Sequence, residues 1–366
     1  MSFIILASFV AAFVYFFLLN KYRKLWVALY ANGELTQKFS VTILVPFRNE
    51  EANLPKLLNS FKNLHLSNLE VQYLFIDDHS SDQSNNIVAT FLENNKGKLL
   101  PLIEGAGKKA AIALGWQNIS TELIVQTDAD CEVSENWLQH LLISFKDEEV
   151  KLVSGPVQFY KEDSFLKNLV ALDFAGLIAI GAAHIGWQKA MICNGANLAY
   201  RSEVIKKVDL KTSKASGEDV FLMESVVLNF GQKSIAFCNR KQAMVKTLGP
   251  QSFKEFWNQR LRWASKNGDY ANKLNVSILG FVWAYNLAIL GFVVSLNPIA
   301  ITLAAFLVLI KLMAEIRFYD CFEDFFSKRD AWKNLLLGQP FHILYMALLP
   351  IFSLILKYQW KERKQK

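Results

Sequence analysis

Uncharged apolar runs at the two ends of the chain enclose a central part in which short apolar segments alternate with charged ones. The runs cover residues 2–19, 276–296, 298–310 and 335–356. The first run is long enough to cross a bilayer. We therefore predict an N-terminal transmembrane anchor at 1–20, a globular domain at 38–265 and a C-terminal membrane region of two to three helices at 276–357.

The basic cluster Lys21–Lys24 directly follows the first run. Because the cytoplasmic flanks of membrane helices carry an excess of Lys and Arg, the cluster predicts an external N-terminus and a globular domain at the cytoplasmic face of the cell membrane. A cleaved signal peptide is the alternative, but the run lacks a preceding basic segment and a clear cleavage site. Three later crossings would place the basic tail 357–366 outside, against the charge rule. A re-entrant segment at 335–356, which Pro340 interrupts, would remove this conflict.

In the central part, compact apolar runs end at polar turns, as expected for buried strands. These runs are 40–47, 71–76, 99–103 and the segment before Asp128. Helical patterns separate the runs, one of them at 108–116. Alternating strands and helices at this spacing predict an α/β domain with a largely parallel sheet and helices on both faces. The apolar segment 166–191 contains Asp173, and we interpret it as a buried or interfacial helix.

Composition and charge narrow the class of protein. Hydrophobic residues make up 52% of the chain, and the formal net charge is +7. Many basic residues flank the apolar runs, where they would meet anionic lipid head groups, so the charge indicates contact with a bilayer and not with nucleic acid. The four cysteines contain no Cys-x-x-Cys pair. They predict neither a zinc site nor a disulfide framework, and they fit a reducing compartment.

Two aspartates, Asp128 and Asp130, follow an apolar strand directly. In open α/β sheets, ligands bind beyond the carboxyl ends of the strands. Two carboxylates one residue apart at that edge can hold a hard divalent cation against the oxygens of a phosphorylated ligand. By itself, Asp-x-Asp is common in surface turns, so its weight depends on the loops around it.

The loops after the first two strands should lie at the same sheet edge as Asp128. Pro46 lies near the end of the first strand, which leads to Glu50, and the second strand leads to Asp78 and Asp82. This rim of carboxylates and hydroxyls suits hydrogen bonds to a ribose and a base. The alternative is that the second loop only caps the next helix.

Two lysines, Lys108 and Lys109, begin a predicted helix after Gly105 and Gly107. The segment does not fit the Walker pattern, because no Ser or Thr follows the lysine. A lysine near the exposed amides of a helix start still suits a diphosphate.

An ordered set of motifs carries the functional interpretation. In chain order they are Asp-Asp-x-Ser-x-Asp at 77–82, Asp-Ala-Asp at 128–130, Asn-Gly-Ala-Asn-Leu-Ala-Tyr-Arg at 194–201, Gly-Glu-Asp at 217–219 and Gln-x-x-Arg-Trp at 259–263. Together they resemble a membrane-bound family 2 glycosyltransferase over roughly residues 40 to 265. Relatives in this sense include cellulose, chitin and hyaluronan synthases and ceramide glucosyltransferase.

The resemblance implies a GT-A fold, which is Rossmann-like with a mostly parallel sheet, and a nucleotide-sugar donor whose anomeric carbon is inverted. Matched by motif, Asp78 would contact the nucleoside and Asp128 the ribose or the metal. Asp130 would ligate Mg²⁺ or Mn²⁺. Lys108 or Lys109 would lie near the diphosphate. Pro46 and Glu50, from the end of the first strand and its loop, would also bind the nucleotide-sugar.

The resemblance also implies roles for the two later motifs. Asp219 matches the general base of the family, and Glu218 completes the acidic pair. Gln259, Arg262 and Trp263 match the motif at the diphosphate and acceptor end of the site. Arg262 and Trp263 have a simpler interpretation as a membrane-flanking cation and an interfacial aromatic residue.

Gly217 departs from the Thr-Glu-Asp that is common in processive synthases, and the membrane part is small for a polymer pore. We therefore predict transfer to a lipid-linked or glycan acceptor, with a processive polysaccharide synthase as the alternative. Two other classes are a nucleotidyltransferase, whose Gly-rich loop is missing near the first strand, and a non-catalytic scaffold, which would not need Asp130 or Asp219. The sugar, the choice between UDP and GDP, and the oligomeric state stay open, although the resemblance favours UDP.

Overall fold

The structure is a computed structural model that describes residues 2–29, 33–160, 164–208, 217–264, 273–327, 330–356, 358–360 and 363–365, the last two ranges by their backbone alone. The helices are α1 (Ser2–Ala28), α2 (Leu54–Lys62), α3 (Ser84–Leu92), α4 (Lys108–Gln117), α5 (Trp137–Leu141), α6 (Phe165–Gly186), α7 (Glu218–Phe230), α8 (Phe253–Ala264), α9 (Lys273–Val294), α10 (Pro298–Tyr319) and α11 (Ala331–Ile355). The strands are β1 (Phe39–Phe47), β2 (Leu69–Asp77), β3 (Gly97–Pro101), β4 (Leu123–Gln126), β5 (Leu152–Ser154), β6 (Val157–Phe159), β7 (Leu198–Arg201), β8 (Ile235–Phe237), β9 (Val245–Thr247), β10 (Tyr358–Trp360) and β11 (Arg363–Gln365).

The chain divides into two compact units. The sheet unit contains Ala28–Tyr160 and Leu177–Leu248. The helical unit contains Met1–Val27, Lys161–Gly176 and Gly249–Lys366. Helix α6 therefore contributes its first part to the helical unit and its second part to the sheet unit.

The sheet unit is built on a seven-stranded sheet in the order β3-β2-β1-β4-β7-β5-β8. Strands β1, β2, β3 and β4 pair in parallel, and so do β5 and β8. Strand β7 alone among these runs antiparallel to both neighbours, β4 and β5. The predicted α/β class with a mostly parallel sheet is confirmed.

Strand β1 explains why the centre of the sheet is stable. Val41, Ile43, Leu44 and Val45 are fully buried, as expected for a parallel strand that is covered on both faces. Each such side chain contributes about 1.5–3 kcal/mol of hydrophobic stabilisation relative to exposure. The register pairs the last residue of β1, Phe47, with the last residue of β2. The two loops that follow therefore begin side by side.

Helix α2 covers this sheet with one apolar face. Its buried residues include Leu54, Leu57, Leu58 and Phe61, whose spacing of three and four residues places them on one face. Asn53 occupies the N-cap position, but its side chain makes no capping hydrogen bond. The side-chain amide of Asn53 donates instead to the Glu50 carboxylate at 2.7 Å.

Within the described ranges, five helices are long and apolar enough to cross a membrane: α1, α6, α9, α10 and α11. Helix α10 continues nine residues beyond Ile310, where the uncharged run of the sequence stops. It continues because the buried ammonium of Lys311 pairs with Glu315 at 2.5 Å, one turn further along the same helix.

Helix α11 is one continuous helix through Pro340 and Pro350. Its described backbone thus does not turn back on itself, and the number of crossings stays a prediction.

Candidate active site

The loops after β1 and β2 hold each other through reciprocal hydrogen bonds. The backbone amide of Asn49 donates to Ser80 Oγ at 3.0 Å, and the amide of Ser81 donates to Asn49 Oδ1 at 2.8 Å. Asn49 and His79 both have positive φ angles, 50° and 61°, a conformation that Asn and His adopt more readily than most residues. The two loops are therefore one fixed surface at the sheet edge.

Asp82 belongs to this surface and also serves the next helix. Its carboxylate accepts hydrogen bonds from the backbone amides of Ser84, at the start of α3, and of Glu51. Desolvation acts against the charge, but these hydrogen bonds outweigh it and hold the pKa of Asp82 below its ordinary value. Asp82 thus binds the first amide of α3, although Gln83 occupies the N-cap position.

Asp78 connects the β2 loop to the start of α4. The residue is 3% exposed, and its Oδ2 accepts from the backbone amide of Gly107 at 2.9 Å. Its Oδ1 lies 3.1 Å from His79 Nδ1. Pro46 is buried within β1, opposite Ile76. The nucleoside-binding role of Asp78 and the donor-binding roles of Pro46 and Glu50 stay predictions.

Lys108 is the cation at the centre of the sheet edge. Its Nζ lies 2.5 Å from Asp128 Oδ1 and 3.3 Å from Glu218 Oε1. Desolvation opposes the charge, but the carboxylates of Asp128 and Glu218 outweigh it and raise the pKa of Lys108. Lys109 is buried and lies 4.7 Å from the ring centre of Phe221. Of the two candidate lysines, Lys108 contacts the aspartate motif through Asp128.

Asp128 and Asp130 supply the oxygen ligands that Mg²⁺ and Mn²⁺ prefer. Among the described residues, no group of three or more His, Cys, Asp or Glu side chains is arranged to hold a metal ion. This donor set fits an ion held by one or two carboxylates together with substrate phosphates, as Mg²⁺ usually is. The buried thiol of Cys131 lies 3.7 Å from Asp130 Oδ1. Burial, with added repulsion from both aspartates, raises the pKa of that thiol.

Asp219 is the second residue of α7, and the N-cap residue of that helix, Gly217, has a left-handed conformation with φ of 93°. Its Oδ2 accepts from the backbone amide of Gly195 at 3.2 Å, and its Oδ1 accepts from the amide of Val220 at 2.9 Å. A carboxylate is favourable at a helix N-terminus, where unpaired amides and the helix dipole meet it. The orientation of the predicted base is thereby fixed. The preceding residues 211–216 lie outside the described part of the chain.

The Asn-Gly-Ala-Asn motif has a structural task that the sequence reasoning missed. Asn197 is fully buried; its Oδ1 accepts from Trp137 Nε1 at 2.9 Å. Its amide nitrogen donates to the carbonyls of Pro156 and Ala243, both at 2.8 Å. This brace fixes the segment that presents the Gly195 amide to Asp219. The asparagines of the motif were the available signal, because a buried amide needs several partners.

Gln259, Arg262 and Trp263 lie on α8, in the helical unit. The ring of Trp263 stacks on Phe174 at a centroid distance of 6.1 Å. The residue between the motif positions, Arg260, is 3% exposed and pairs with Asp173 at 2.5 Å. The sequence reasoning did not single out Arg260. Its only signal was a second arginine within the motif.

Comparisons with known proteins agree with these motifs. Residues 42–209 match the model of glycosyl transferase family 2. The probable glycosyltransferase YdaM of Bacillus subtilis is 26% identical over 236 residues, which cover 62% of this chain and 55% of that protein. A poly-beta-1,6-N-acetyl-D-glucosamine synthase of Staphylococcus epidermidis is 24% identical over 258 residues, 70% of this chain and 60% of that protein. The matched region thus spans less than two thirds of either relative.

A solved structure shares the fold. The mannosyltransferase PcManGT from Pyrobaculum calidifontis, in complex with GDP-Man and Mn²⁺, superposes with a TM-score of 0.54 at 17% identity, covering 95% of each chain. The sequence-based resemblance to family 2 and the GT-A class of the sheet are confirmed.

Proposed function

We propose, starting from the glycosyl transferase family 2 domain that residues 42–209 form, that the protein transfers a sugar from a nucleotide-sugar, with inversion, to an acceptor at the membrane. One observation carries the proposal. Asp78, Asp128 and Asp219 all lie beyond strand ends or at a helix start in the same unit, and Lys108 contacts the aspartate motif at 2.5 Å. Acidic groups beside the Lys108 ammonium suit a ligand that combines hydroxyls with a diphosphate.

The donor would be held by groups of different chemistry. Asp78 suits the nucleoside because a fixed carboxylate accepts hydrogen bonds from a base or ribose. Lys108 would move its ammonium from Asp128 to the diphosphate when the donor enters. Asp128 and Asp130 would hold Mg²⁺ or Mn²⁺ with the phosphate oxygens. When bound, the ion supplies positive charge that stabilises the departing diphosphate.

Asp219 would act as the general base. In one displacement, the acceptor hydroxyl oxygen forms a bond to the anomeric carbon while the bond from that carbon to the phosphate oxygen breaks. The hydroxyl proton passes to the Asp219 carboxylate, which Gly195 and Val220 orient. Arg262 would pair with the phosphate oxygens of the leaving nucleoside diphosphate, and Trp263 would offer an apolar face to a sugar ring.

We propose a lipid or glycan acceptor at the cytoplasmic face. The basic cluster Lys21–Lys24, which lies in the last two turns of α1, supports that orientation. A processive polysaccharide synthase is the second candidate, and the matched Staphylococcus synthase favours it. UDP is the expected nucleotide, whereas PcManGT contains GDP-Man, so both nucleotides must be tested.

The experiment measures nucleoside diphosphate release by the detergent-purified chain across UDP- and GDP-sugars, with Mn²⁺, Mg²⁺ or chelator. Release from one donor that depends on metal and is lost in Asp130→Asn would support the transferase. Asp219→Asn should retain donor binding and lower transfer by about 100-fold or more. Glu93→Gln, an exposed carboxylate at the end of α3, is the matched control.

Product analysis separates the alternatives. Pyrophosphate release from a nucleoside triphosphate would indicate a nucleotidyltransferase. Donor binding without turnover, in the presence of acceptor, would favour the scaffold. Long polymer from the purified protein would replace single transfer by processive synthesis.

A further inference from the structure

A cavity of about 50 Å³ lies in the helical unit, among the first part of α6, α8, α10 and α11. Leu169, Leu335 and Phe341 contribute to an apolar wall. The remaining wall carries ionisable and hydroxyl groups, which are rare in helices apolar enough to span a membrane and usually mark a functional site there. A polar cavity of this volume admits roughly four water molecules.

The cation of this cluster is fully engaged. The ammonium of Lys311 is completely buried and donates to Glu315 Oε1 at 2.5 Å, to Gln339 Oε1 at 2.9 Å and to His342 Nδ1 at 3.0 Å. An ammonium has three donors, so Lys311 has none left for a ligand. Arg260, the other nearby cation, already pairs with Asp173 at 2.5 Å.

The carboxylates, in contrast, keep acceptor capacity. Asp173 accepts from Tyr345 Oη at 2.6 Å and pairs with Arg260. Glu315 accepts from Tyr15 and Lys311 on one oxygen and from Gln339 on the other. An ionised carboxylate offers about four lone-pair positions. The pocket therefore has spare acceptors that a hydrogen-bond donor can use.

His342 places a donor beside one of these acceptors. An ammonium can only donate, so Nδ1 of His342 accepts from Lys311 and the uncharged imidazole carries its proton on Nε2. His342 Nε2 lies 3.8 Å from Asp173 Oδ1, which is too far for a direct hydrogen bond. The side chains of His342 and Asp173 are 28% and 17% exposed, so both are accessible. A hydroxyl group fits between them, because it donates to the carboxylate and accepts from the imidazole.

The charge balance selects against an anion. Two carboxylates, Asp173 and Glu315, line the cavity, and the two cations of the cluster are already paired with them. These four groups sum to zero net charge, so a phosphate would lose hydration without gaining a net opposite charge. A neutral hydroxyl carries no charge that needs compensation and loses less hydration. The leucines and Phe341 suit a hydrocarbon chain.

We propose that this pocket binds the head group of a neutral, hydroxyl-bearing membrane lipid, with the hydroxyl between Asp173 and His342. The inference that this lipid is the acceptor of the sugar rests on the proposed function. The inference that the pocket binds the lipid does not depend on that function.

The test compares two lipids that differ only in the head group. Dioleoylglycerol ends in a hydroxyl, and dioleoyl phosphatidic acid ends in a phosphate. Native mass spectrometry of the detergent-purified full chain gives the bound fraction of each. We expect dioleoylglycerol to bind at least about 10-fold more tightly, which corresponds to about 1.4 kcal/mol. Equal or tighter binding of phosphatidic acid would overturn the proposal, and this comparison needs no variant.

Variants then locate the site. Leu335→Phe fills the pocket, and Leu336→Phe places the same ring on a residue that is 49% exposed. His342→Asn keeps an acceptor for Lys311 and removes the Nε2 donor. We expect dioleoylglycerol binding to weaken about 10-fold in Leu335→Phe and His342→Asn and to persist in Leu336→Phe. Equal binding in Leu335→Phe and Leu336→Phe would exclude this pocket.

Nucleoside diphosphate release on the same samples separates this proposal from the transferase function. If dioleoylglycerol binds as expected but does not stimulate nucleoside diphosphate release, the pocket is supported and the inference that its lipid is the acceptor is overturned. If Asp130→Asn abolishes nucleoside diphosphate release but the two lipids bind equally well, the pocket proposal is overturned and the transferase proposal stands.

Discussion

The ammonium nitrogen of Lys108 lies 2.5 Å from a carboxylate oxygen of Asp128. It also reaches Glu218, the neighbour of the proposed base, at 3.3 Å. One cation thus compensates acidic groups that come from the end of β4 and the start of α7. Without it, these carboxylates would repel each other in a partly buried site.

Replacing Lys108 by Met should weaken donor binding. A charge-assisted hydrogen bond contributes about 1.5–3 kcal/mol, so we expect the affinity for the nucleotide-sugar to fall roughly 10- to 100-fold. Titration calorimetry with Mn²⁺ present measures this affinity. Lys98→Met, on the exposed face of β3, controls for the loss of one surface charge. Unchanged affinity in Lys108→Met would remove Lys108 from the donor site.

The pair of Asp173 and Arg260 should show strong coupling. Removing one partner of a buried ion pair leaves an uncompensated charge and costs about 3–5 kcal/mol. We expect Asp173→Asn and Arg260→Met each to lower the melting temperature of the detergent-purified chain. The double variant should have a melting temperature well above the value obtained by adding the losses of the two single variants. Strictly additive losses would mean that the pair makes no net interaction.

Asn197→Ala should destabilise the sheet unit. The substitution removes the partner of the Trp137 indole and of the Ala243 carbonyl, and each buried unpaired group costs about 1–3 kcal/mol. The Pro156 carbonyl loses one of its two donors and keeps the backbone amide of Val245. At about 2–4 °C per kcal/mol, we expect the melting temperature to fall by roughly 5 °C or more. Asn118→Ala, which removes an exposed amide bonded only within its own helix end, should change it little. Similar melting of both variants would contradict the bracing role.

His140 should make stability depend on pH. Burial and the neighbouring Arg240 guanidinium hold the pKa of His140 below its ordinary value of 6.5. As the pH falls below the ordinary pKa, His140 takes up a proton more readily in the unfolded chain than in the folded chain. The free energy of unfolding that the neutral His140 allows above this pH is therefore lost as the pH falls. Melting at about pH 7.5 and about pH 5.5 should therefore show a smaller drop in His140→Asn than in the natural chain. An identical drop would show that the other histidines account for the effect.

Much of the sheet could be predicted because its strands are nearly continuous apolar runs with polar turns. The run 40–47 became β1 with one added residue, Phe39. Asp78 and Asp128 were expected at one edge because parallel strands share their carboxyl ends. The antiparallel direction of β7 was not predictable, since only four residues carry it and its alternation depends on neighbours distant in sequence.

Partners of buried polar residues also escaped the sequence. Asn197 needs Trp137, Pro156 and Ala243 around it, and hydrophobic periodicity contains no information on such distant contacts. Lys311 interrupted an uncharged run and made that segment seem to end at Ile310. The counter-charge one turn later was the missed signal.

The spacing of Lys311 and Glu315 has a consequence for biogenesis. Because the two residues lie four positions apart on one helix, their ion pair can form inside the segment as soon as it leaves the ribosome. The translocon then receives α10 with the charge of Lys311 already compensated and with Arg317 in the last turn as the remaining charge, before Gln339 and His342 have been synthesised. Moving the acidic residue to α11 would keep the charges of the finished cluster but would strand a lone ammonium during insertion.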